Sequence, residues 1–243
     1  MRRRRQSAGT RPHPALAAAV PSRLSYLFSA HLLRRTLLAL LIAVTTTTVL
    51  YGFNGWLPTF LVKQGHGIVT TLAFTAVMGL GAPAGSWLGS VIADRVGRRF
   101  GIVVLALSWA AFGVGYAYAD TNAELMGVGF GVMVPSYALV SVGYAIYIPE
   151  LFPTVLRMRG AGLAGAAGRL AAAGAQYGVV WAYGFGGVGA VSAGMAALLV
   201  LLALVILLAG IETRQRSLEA LSSTLGETPT RPLGGLASIR DNP

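Results

Sequence analysis

The chain has 243 residues, of which 55% are hydrophobic and 11% are charged, and its mean hydropathy is +0.66. This composition is typical of integral membrane proteins and excludes an ordinary water-soluble domain. The formal net charge of +11 does not indicate a nucleic-acid partner, because the arginines flank apolar runs and do not line one face. The sequence has no cysteine, so disulfides and cysteine-based metal sites are excluded.

The two ends of the chain differ in composition from its centre. Residues 1–36 are predicted to be a basic cytoplasmic segment, partly disordered, without the apolar core and cleavage site of a signal peptide. Residues 212–243 are predicted to be a cytoplasmic tail. Residues 37–211, between these segments, are predicted to form the transmembrane domain.

Six apolar runs in this central region are long enough to cross a bilayer, whose hydrocarbon core of about 30 Å takes roughly 20 helical residues. The predicted spans are Leu37–Leu61, Ile68–Ala93, Phe100–Ala119, Leu125–Pro149, Gly160–Tyr183 and Gly189–Ile211. The predicted fold class is therefore an all-α membrane protein with six transmembrane helices.

The loops between these spans alternate in charge, and this alternation predicts their orientation. The loops after the second and fourth spans are rich in arginine, as are the segments that flank the domain. Lys63 is the only basic residue in the opposite set of loops. Because basic loops remain in the cytoplasm, both termini are predicted to be cytoplasmic, with the protein in the plasma membrane and the lipid bilayer as its first partner.

Glycines at four-residue spacing favour close helix packing in lipid. They are Gly81, Gly85 and Gly89 in the second span, Gly127 and Gly131 in the fourth, and Gly174 and Gly178 in the fifth. Three prolines, Pro58, Pro83 and Pro135, fall inside spans or near their ends. Each removes a backbone donor, which predicts a kink or a break in its helix.

Three motifs resemble one known family. SVIADRVGRR (90–99) is similar to the loop signature G-x-L-A-D-R-x-G-R-R, with serine and isoleucine at two positions. YIPELFPTVLRMRG (147–160) resembles Y-x-x-E-L-F-P-T-x-x-R-x-x-G, and IETRQRSLEAL (211–221) resembles P-E-T-K-G-R-S-L-E-E-L with isoleucine in place of proline. From about residue 24 to residue 221, the chain resembles helices seven to twelve of a twelve-helix transporter of the major facilitator superfamily.

The resemblance implies one half of a transporter that works by alternating access, in the sugar, metabolite–proton symporter or organic-ion branches. Such a half needs a second six-helix half, or a second copy of itself, as a partner. The resemblance also implies a network of charges that gates the cytoplasmic side; the alternative is that these charges only set the topology. The implied network is Asp94, Arg95, Arg98, Glu150 and Arg157.

Arg169 is the only charged residue well inside a predicted span. Counted from Gly160 at about 1.5 Å per residue, it lies roughly 14 Å deep, near the midplane. A charge at that depth indicates a functional site, and transporters bind substrate there. The surrounding GAAGRLA (165–171) is similar to the corresponding segment of the organic-ion and metabolite–proton symporter branches, and in some anion carriers of that kind an arginine at this place meets the substrate. This resemblance implies that Arg169 binds a carboxylate. The alternatives are an arginine that reaches the headgroups or pairs with another helix.

Other polar and aromatic side chains within the spans are candidates for lining a small-molecule site. They are Asn54, Gln176, Tyr51, Tyr137 and Tyr144. The amides are the better candidates, because a buried amide in lipid must find a partner. The seven-residue spacing of Tyr137 and Tyr144 predicts that both share a helical face with Ser141.

No Asp, Glu or His lies deep in a predicted span, so a proton carrier would belong to the other half. No nucleophile–base pair, metal-ligand cluster or nucleotide-binding motif is present, so we expect neither an enzyme nor a cofactor. The predicted function is secondary active transport of a small solute, such as an organic anion or another metabolite, with ion or proton coupling once paired. The alternative is a truncated, non-transporting membrane fragment or interaction protein.

Overall fold

The structure is a computed structural model that describes residues 24–63, 65 and 67–212. Most of the predicted tails, and most of the third motif, therefore lie outside the described residues. The described part begins with a short 3-10 helix, Leu24–Phe28. The Leu27 carbonyl accepts a hydrogen bond of 2.7 Å from Thr36 Oγ1, which ties this turn to the first long helix.

Helices occupy all six predicted spans. Span 1 is Leu33–Lys63, span 2 consists of Ile68–Gly79 and Gly81–Arg95, and span 3 is Arg98–Tyr116. Span 4 consists of the α-helix Asn122–Leu139, the π-helix Val140–Tyr147 and a final turn, Ile148–Glu150. Spans 5 and 6 lie within one long helix, Arg157–Ala209. Among the residues described, five helices are long and apolar enough to cross a membrane. The predicted all-α membrane fold is confirmed.

The last of these helices contains two spans. Its 53 residues would extend about 80 Å as one rod, more than twice the thickness of a bilayer core. The backbone leaves helical geometry at Gly186 and at Gly187, whose φ of +62° favours glycine. Tyr183 stacks on Phe60 at the end of span 1, whereas the carbonyl of Ala209 meets Arg34 at its beginning. The chain therefore reverses at the two glycines, and span 5 (157–185) runs antiparallel to span 6 (188–209).

Prolines interrupt one span only. Pro83 has no N–H to donate to the carbonyl of Gly79, four residues earlier, and span 2 is interrupted at Leu80. The helices continue through Pro58 and Pro135. The π-helix follows Pro135 in span 4 and occupies the turn before the basic loop.

The glycines of span 2 form its contact with span 4. A Cβ on Gly81 would lie 2.7 Å from Met133 Cβ, and one on Gly89 would lie 2.6 Å from the carbonyl oxygen of Ala138. A Cβ on Gly85 would overlap the Val134 carbonyl. By contrast, no atom lies within 4 Å of a Cβ built on Gly174 or Gly178, so this face of span 5 stays open.

The two ends of the bundle differ in charge. One end of the bundle, which we call the arginine-rich end, contains the first turns of spans 1, 3 and 5, with Arg34, Arg98 and Arg157. At the opposite end, the Lys63 ammonium lies 4.0 Å from the centre of the Tyr183 ring. Between these ends, span 1 packs against spans 5 and 6, and span 4 packs against spans 2 and 3.

Candidate substrate site and charge network

Arg169 lies near mid-length of the bundle, on span 5. Its neighbour Gly168 accepts a hydrogen bond of 2.8 Å from Thr47 Oγ1, which also donates to the Ala43 carbonyl at 2.7 Å. Thr47 is halfway between Leu33 and Lys63 on span 1, so Arg169 is about 20 Å from either end of that helix. The Arg169 side chain is exposed, and it makes no hydrogen bond or ion pair with any residue of the described ranges.

The Tyr144 hydroxyl lies beside this guanidinium. A Cβ built on Gly165 would be 3.1 Å from Tyr144 Oη and 3.6 Å from Arg169 Nη1. Tyr144 belongs to span 4 and is half-buried, and its hydroxyl bonds to no other residue among those described. Two donors from two spans therefore meet over one glycine.

The predicted common face of Tyr137, Ser141 and Tyr144 holds for Tyr137 and Ser141 but is wrong for Tyr144. A Cβ on Gly85 would lie 3.1 Å from Tyr137 Cβ, and one on Gly89 would lie 3.0 Å from Ser141 Cβ, so both residues face span 2. Tyr144 instead faces span 5. The reason is the π-helix, whose wider turns change the rotation between residues 140 and 147 relative to an α-helix.

A second polar cluster lies toward the opposite end of the bundle. Trp56 Nε1 donates to Gln176 Oε1 at 2.7 Å, and Gln176 Nε2 donates to the Tyr51 carbonyl at 3.3 Å. Gln176 thereby joins span 5 to span 1. Asn54 Oδ1 is buried on span 1 without a hydrogen-bond partner in the part of the chain described. A buried acceptor of this kind is rare unless a ligand, water or another chain supplies the donor.

The structure brings two of the predicted gating residues together. Arg98 donates from Nε to Glu150 Oε2 at 3.2 Å and from Nη2 to Glu150 Oε1 at 3.1 Å. Its Nη1 also donates to the Ala93 carbonyl at 3.0 Å. This two-pronged pair joins spans 3 and 4 and contacts the last turn of span 2, so one arginine links three helices.

The other predicted gating residues lie at the same end but outside this pair. Asp94 is exposed in the last turn of span 2, as is Arg95. Arg157, at the start of span 5, is half-buried, and its Nε has no hydrogen-bond partner within the described ranges. These positions leave the gating role itself a prediction.

Sequence reasoning missed the hydrogen bonds that hold the end of span 6. Arg34 donates to the Ala209 carbonyl at 2.8 Å, and Arg99 donates to the carbonyls of Ile206 and Leu207. Arginines near the last carbonyls of a helix satisfy acceptors that have no partner within it. The sequence contained these arginines, but they were interpreted only as markers of topology.

The segment after span 6 is held in a similar way. The Tyr147 hydroxyl donates to the Ile211 carbonyl at 2.7 Å and accepts from the Ile211 N–H at 2.8 Å. Glu212 accepts from the backbone N–H groups of Arg98 and Arg99 at 3.2 and 3.3 Å. A carboxylate at the first turn of span 3 stabilises the positive end of that helix. The signal was the glutamate of the third motif.

Two adjacent threonines of span 1 test the polar contact beside Arg169. Thr47→Val removes the bond to Gly168 and should destabilise the protein by about 1 kcal/mol, with a measurable fall in Tm. Thr46→Val has the same change in shape, but Thr46 Oγ1 is buried with no partner among the described residues, so Tm should stay or rise. Thermal unfolding in detergent measures both, and a larger loss from Thr46→Val would contradict the assignment.

Comparison with known proteins identifies the family of the chain. The sequence profile of the Major Facilitator Superfamily matches residues 1–176. The chain belongs to this superfamily. The inner membrane metabolite transport protein YdjE of Escherichia coli is 36% identical over 196 residues, which are 81% of this chain and 43% of YdjE. The niacin transporter NiaP of Acinetobacter baylyi is 28% identical over 144 residues, which are 59% of this chain and 33% of NiaP.

Family membership confirms an integral membrane protein of the transporter class, not an enzyme. The chain spans about half the length, or less, of the curated relatives it matches, at 43% of YdjE. Members of this superfamily combine two six-helix halves around a site near the midplane. Six spans, with Arg169 near mid-length, correspond to one such half.

Proposed function

We propose that the chain is one half of a secondary transporter for a small organic anion and that Arg169 binds the anion's carboxylate. The observation that carries the proposal is an exposed guanidinium at mid-length of a membrane bundle, with no ion pair inside the described residues. A guanidinium facing hydrocarbon is costly, so this side of the bundle faces water, a ligand or another polypeptide. The Tyr144 hydroxyl, which lies beside the guanidinium, supplies a further donor to the same side.

The proposed partner is a second six-helix half or a second copy of this chain. The exposure of Arg169 supports it, because a charged side chain on the outside of a membrane bundle needs a polar environment that covers it. A second half placed there encloses the site between two bundles, as alternating access requires. In the proposed orientation both termini are cytoplasmic and the protein lies in the plasma membrane, with ion or proton coupling supplied by the partner half.

The proposed substrate class is a compact ring that bears a carboxylate. NiaP is named for niacin, a pyridine carboxylate that is an anion at neutral pH. An arginine suits one end of such a molecule, because its planar donors match a carboxylate. Aromatic side chains and the amides of Asn54 and Gln176 suit the ring.

The proposed role of the Arg98–Glu150 pair is to keep the arginine-rich end closed in one of the two transport states. A single partly exposed pair contributes about 0–1 kcal/mol, but several shared contacts shift a two-state equilibrium further. Arg98 shares contacts with Ala93 and, through its backbone, with Glu212. The pair therefore acts with the last turn of span 2 and the end of span 6.

The test is uptake into proteoliposomes, with nicotinate as the anionic probe and nicotinamide as its neutral counterpart. The chain is reconstituted alone and together with the first six spans of YdjE. We expect nicotinate uptake only when both halves are present, or with the chain alone if two copies pair. A folded chain that carries neither solute in any combination would contradict the proposal and favour a non-transporting membrane protein.

A further inference from the structure

Gly165 stands out among the described glycines because polar groups of two different side chains border it. A Cβ there would lie 3.1 Å from Tyr144 Oη and 3.6 Å from Arg169 Nη1, so these two donors lie within about 7 Å of each other. The helix backbone around residue 165 is regular, and Gly165 itself is buried. The absence of a side chain at Gly165 thus leaves room for these two groups, and no turn in the backbone requires a glycine there.

The helical geometry explains why the room matters. Arg169 follows Gly165 by four residues, one turn along span 5, and helical side chains point back toward the N-terminus over the preceding turn. The guanidinium therefore reaches toward the turn of Gly165, where Tyr144 approaches from span 4. A methyl group at 165 would be tighter against the Tyr144 oxygen than nearly all Cβ contacts, so that hydroxyl must shift by a few tenths of an ångström. The separation of 3.6 Å between this methyl group and Arg169 Nη1 is an ordinary contact.

Two donors within this distance of each other fit one carboxylate. Hydrogen bonds of about 2.8 Å on either side of the group let its two oxygens reach donors up to roughly 7 Å apart. Neither the Tyr144 hydroxyl nor the Arg169 guanidinium is engaged by another described residue, so both are available to a ligand. A neutral amide gains less, because its NH2 group offers donors and no acceptor.

We propose that Gly165 is a positioning residue for anion selectivity, which keeps the Tyr144 hydroxyl and the Arg169 guanidinium within reach of a single carboxylate. This inference rests on the proposed function, since it concerns the same substrate site. It adds that selectivity for an anion over its neutral isostere depends on the absence of a side chain at position 165.

The experiment measures protection of Arg169 from phenylglyoxal in the full purified chain in detergent, with modification quantified by peptide mass spectrometry. Nicotinate should slow the modification of Arg169, and nicotinamide should not. In Gly165→Ala the nicotinate concentration for half-protection should rise about tenfold, the effect of losing one hydrogen bond to a charged group. Tyr144→Phe, which removes the hydroxyl without adding volume, should produce a similar rise.

The matched control is Gly162→Ala, on the same helix, where a Cβ meets no atom within 4 Å. In this variant nicotinate should protect Arg169 at the same concentration as in the wild type. In the double variant Gly165→Ala with Tyr144→Phe, the nicotinate concentration for half-protection should be no higher than in either single variant. A general loss of packing would not give this result. Thermal unfolding of each variant confirms folding.

The outcomes separate the inference from the proposed function. Protection that persists unchanged in Gly165→Ala, whatever the result for Tyr144→Phe, would overturn the role of Gly165 and leave Arg169 as the anion site. No protection in the wild-type chain would overturn the carboxylate site itself, and with it the role of Gly165. Uptake of neutral solutes by the paired halves would still test transport independently.

Discussion

Arg169→Ala should lower nicotinate uptake by the paired halves about 100-fold, because a charge-assisted contact of about 3 kcal/mol is lost in a site shielded from water. Nicotinamide uptake should fall far less, since its carboxamide does not need the positive charge. The guanidinium has no ion pair with another described residue, so its removal leaves no orphaned carboxylate there to destabilise the fold. Uptake of radiolabelled nicotinate and nicotinamide, measured in the same vesicles, gives the ratio of anion to neutral transport for each variant.

Arg169→Lys separates charge from geometry at this position. Lysine keeps the positive charge but loses the planar, two-pronged donor, so we expect roughly a tenfold loss of nicotinate uptake. An equal loss of both solutes in Arg169→Ala would instead assign the arginine to folding or to contact with the partner half. The amount of each variant in the vesicles, and its Tm in detergent, control for expression and stability.

The fold followed from composition because lipid imposes few choices on a chain. Apolar runs of about 20 residues can only cross the membrane as helices, and short loops with alternating charge predict their orientation. The Gly-rich sequence at 184–189 located the reversal between spans 5 and 6, which the structure places at Gly186 and Gly187. The glycine spacing likewise predicted close packing, and Gly81, Gly85 and Gly89 provide it against span 4.

The π-helix of span 4 could not be predicted by the same means. Its apolar pattern is that of an ordinary α-helix, and nothing in that pattern indicates the i to i+5 bonding of residues 140–147. That one irregularity moved Tyr144 away from Tyr137 and placed it beside Arg169. The seven-residue spacing predicts a shared face only in an α-helix, so it fails where part of the span is a π-helix.

Bonds between distant residues were the other part that sequence reasoning could not supply. Arg34 and Ala209 are separated by 175 residues, and Arg99 and Leu207 by 108. Their partners are backbone carbonyls, which leave no mark on the sequence. Glu212 and Tyr147 were visible within two motifs, but only the folded chain shows that one caps span 3 and the other holds Ile211.

These bonds make the arginine-rich end a connected structure. Spans 3, 4 and 6 meet there through Arg98, Glu150, Tyr147 and Glu212, and span 1 joins through Arg34. The pair of Arg98 and Glu150 is central, since Arg98 also holds the carbonyl of Ala93. Both side chains are partly exposed, at 17% and 30%, so the pair by itself contributes only about 1 kcal/mol.

Glu150→Arg should open this end of the bundle. The substitution replaces an attraction with a repulsion of similar size, about 2 kcal/mol in total, and so raises the population of the open form about 30-fold. The chain has no cysteine, so a single Ala93→Cys substitution provides the only thiol. Ala93 is fully buried, and its labelling by N-ethylmaleimide should accelerate in the Glu150→Arg background.

The reversed pair provides the decisive comparison. Arg98→Glu together with Glu150→Arg restores opposite charges and should return the labelling rate of Ala93→Cys most of the way to that of the parent chain. Ser90→Cys, exposed on the same span, should label equally fast in every background and so reports the reactivity of the reagent alone. If the thiol of Ala93→Cys is labelled as fast with the reversed pair as it is with Glu150→Arg alone, the charge interaction does not hold this end closed. The hydrogen bond from the Arg98 side chain to the Ala93 carbonyl, which the reversal also removes, would then be the contact that does.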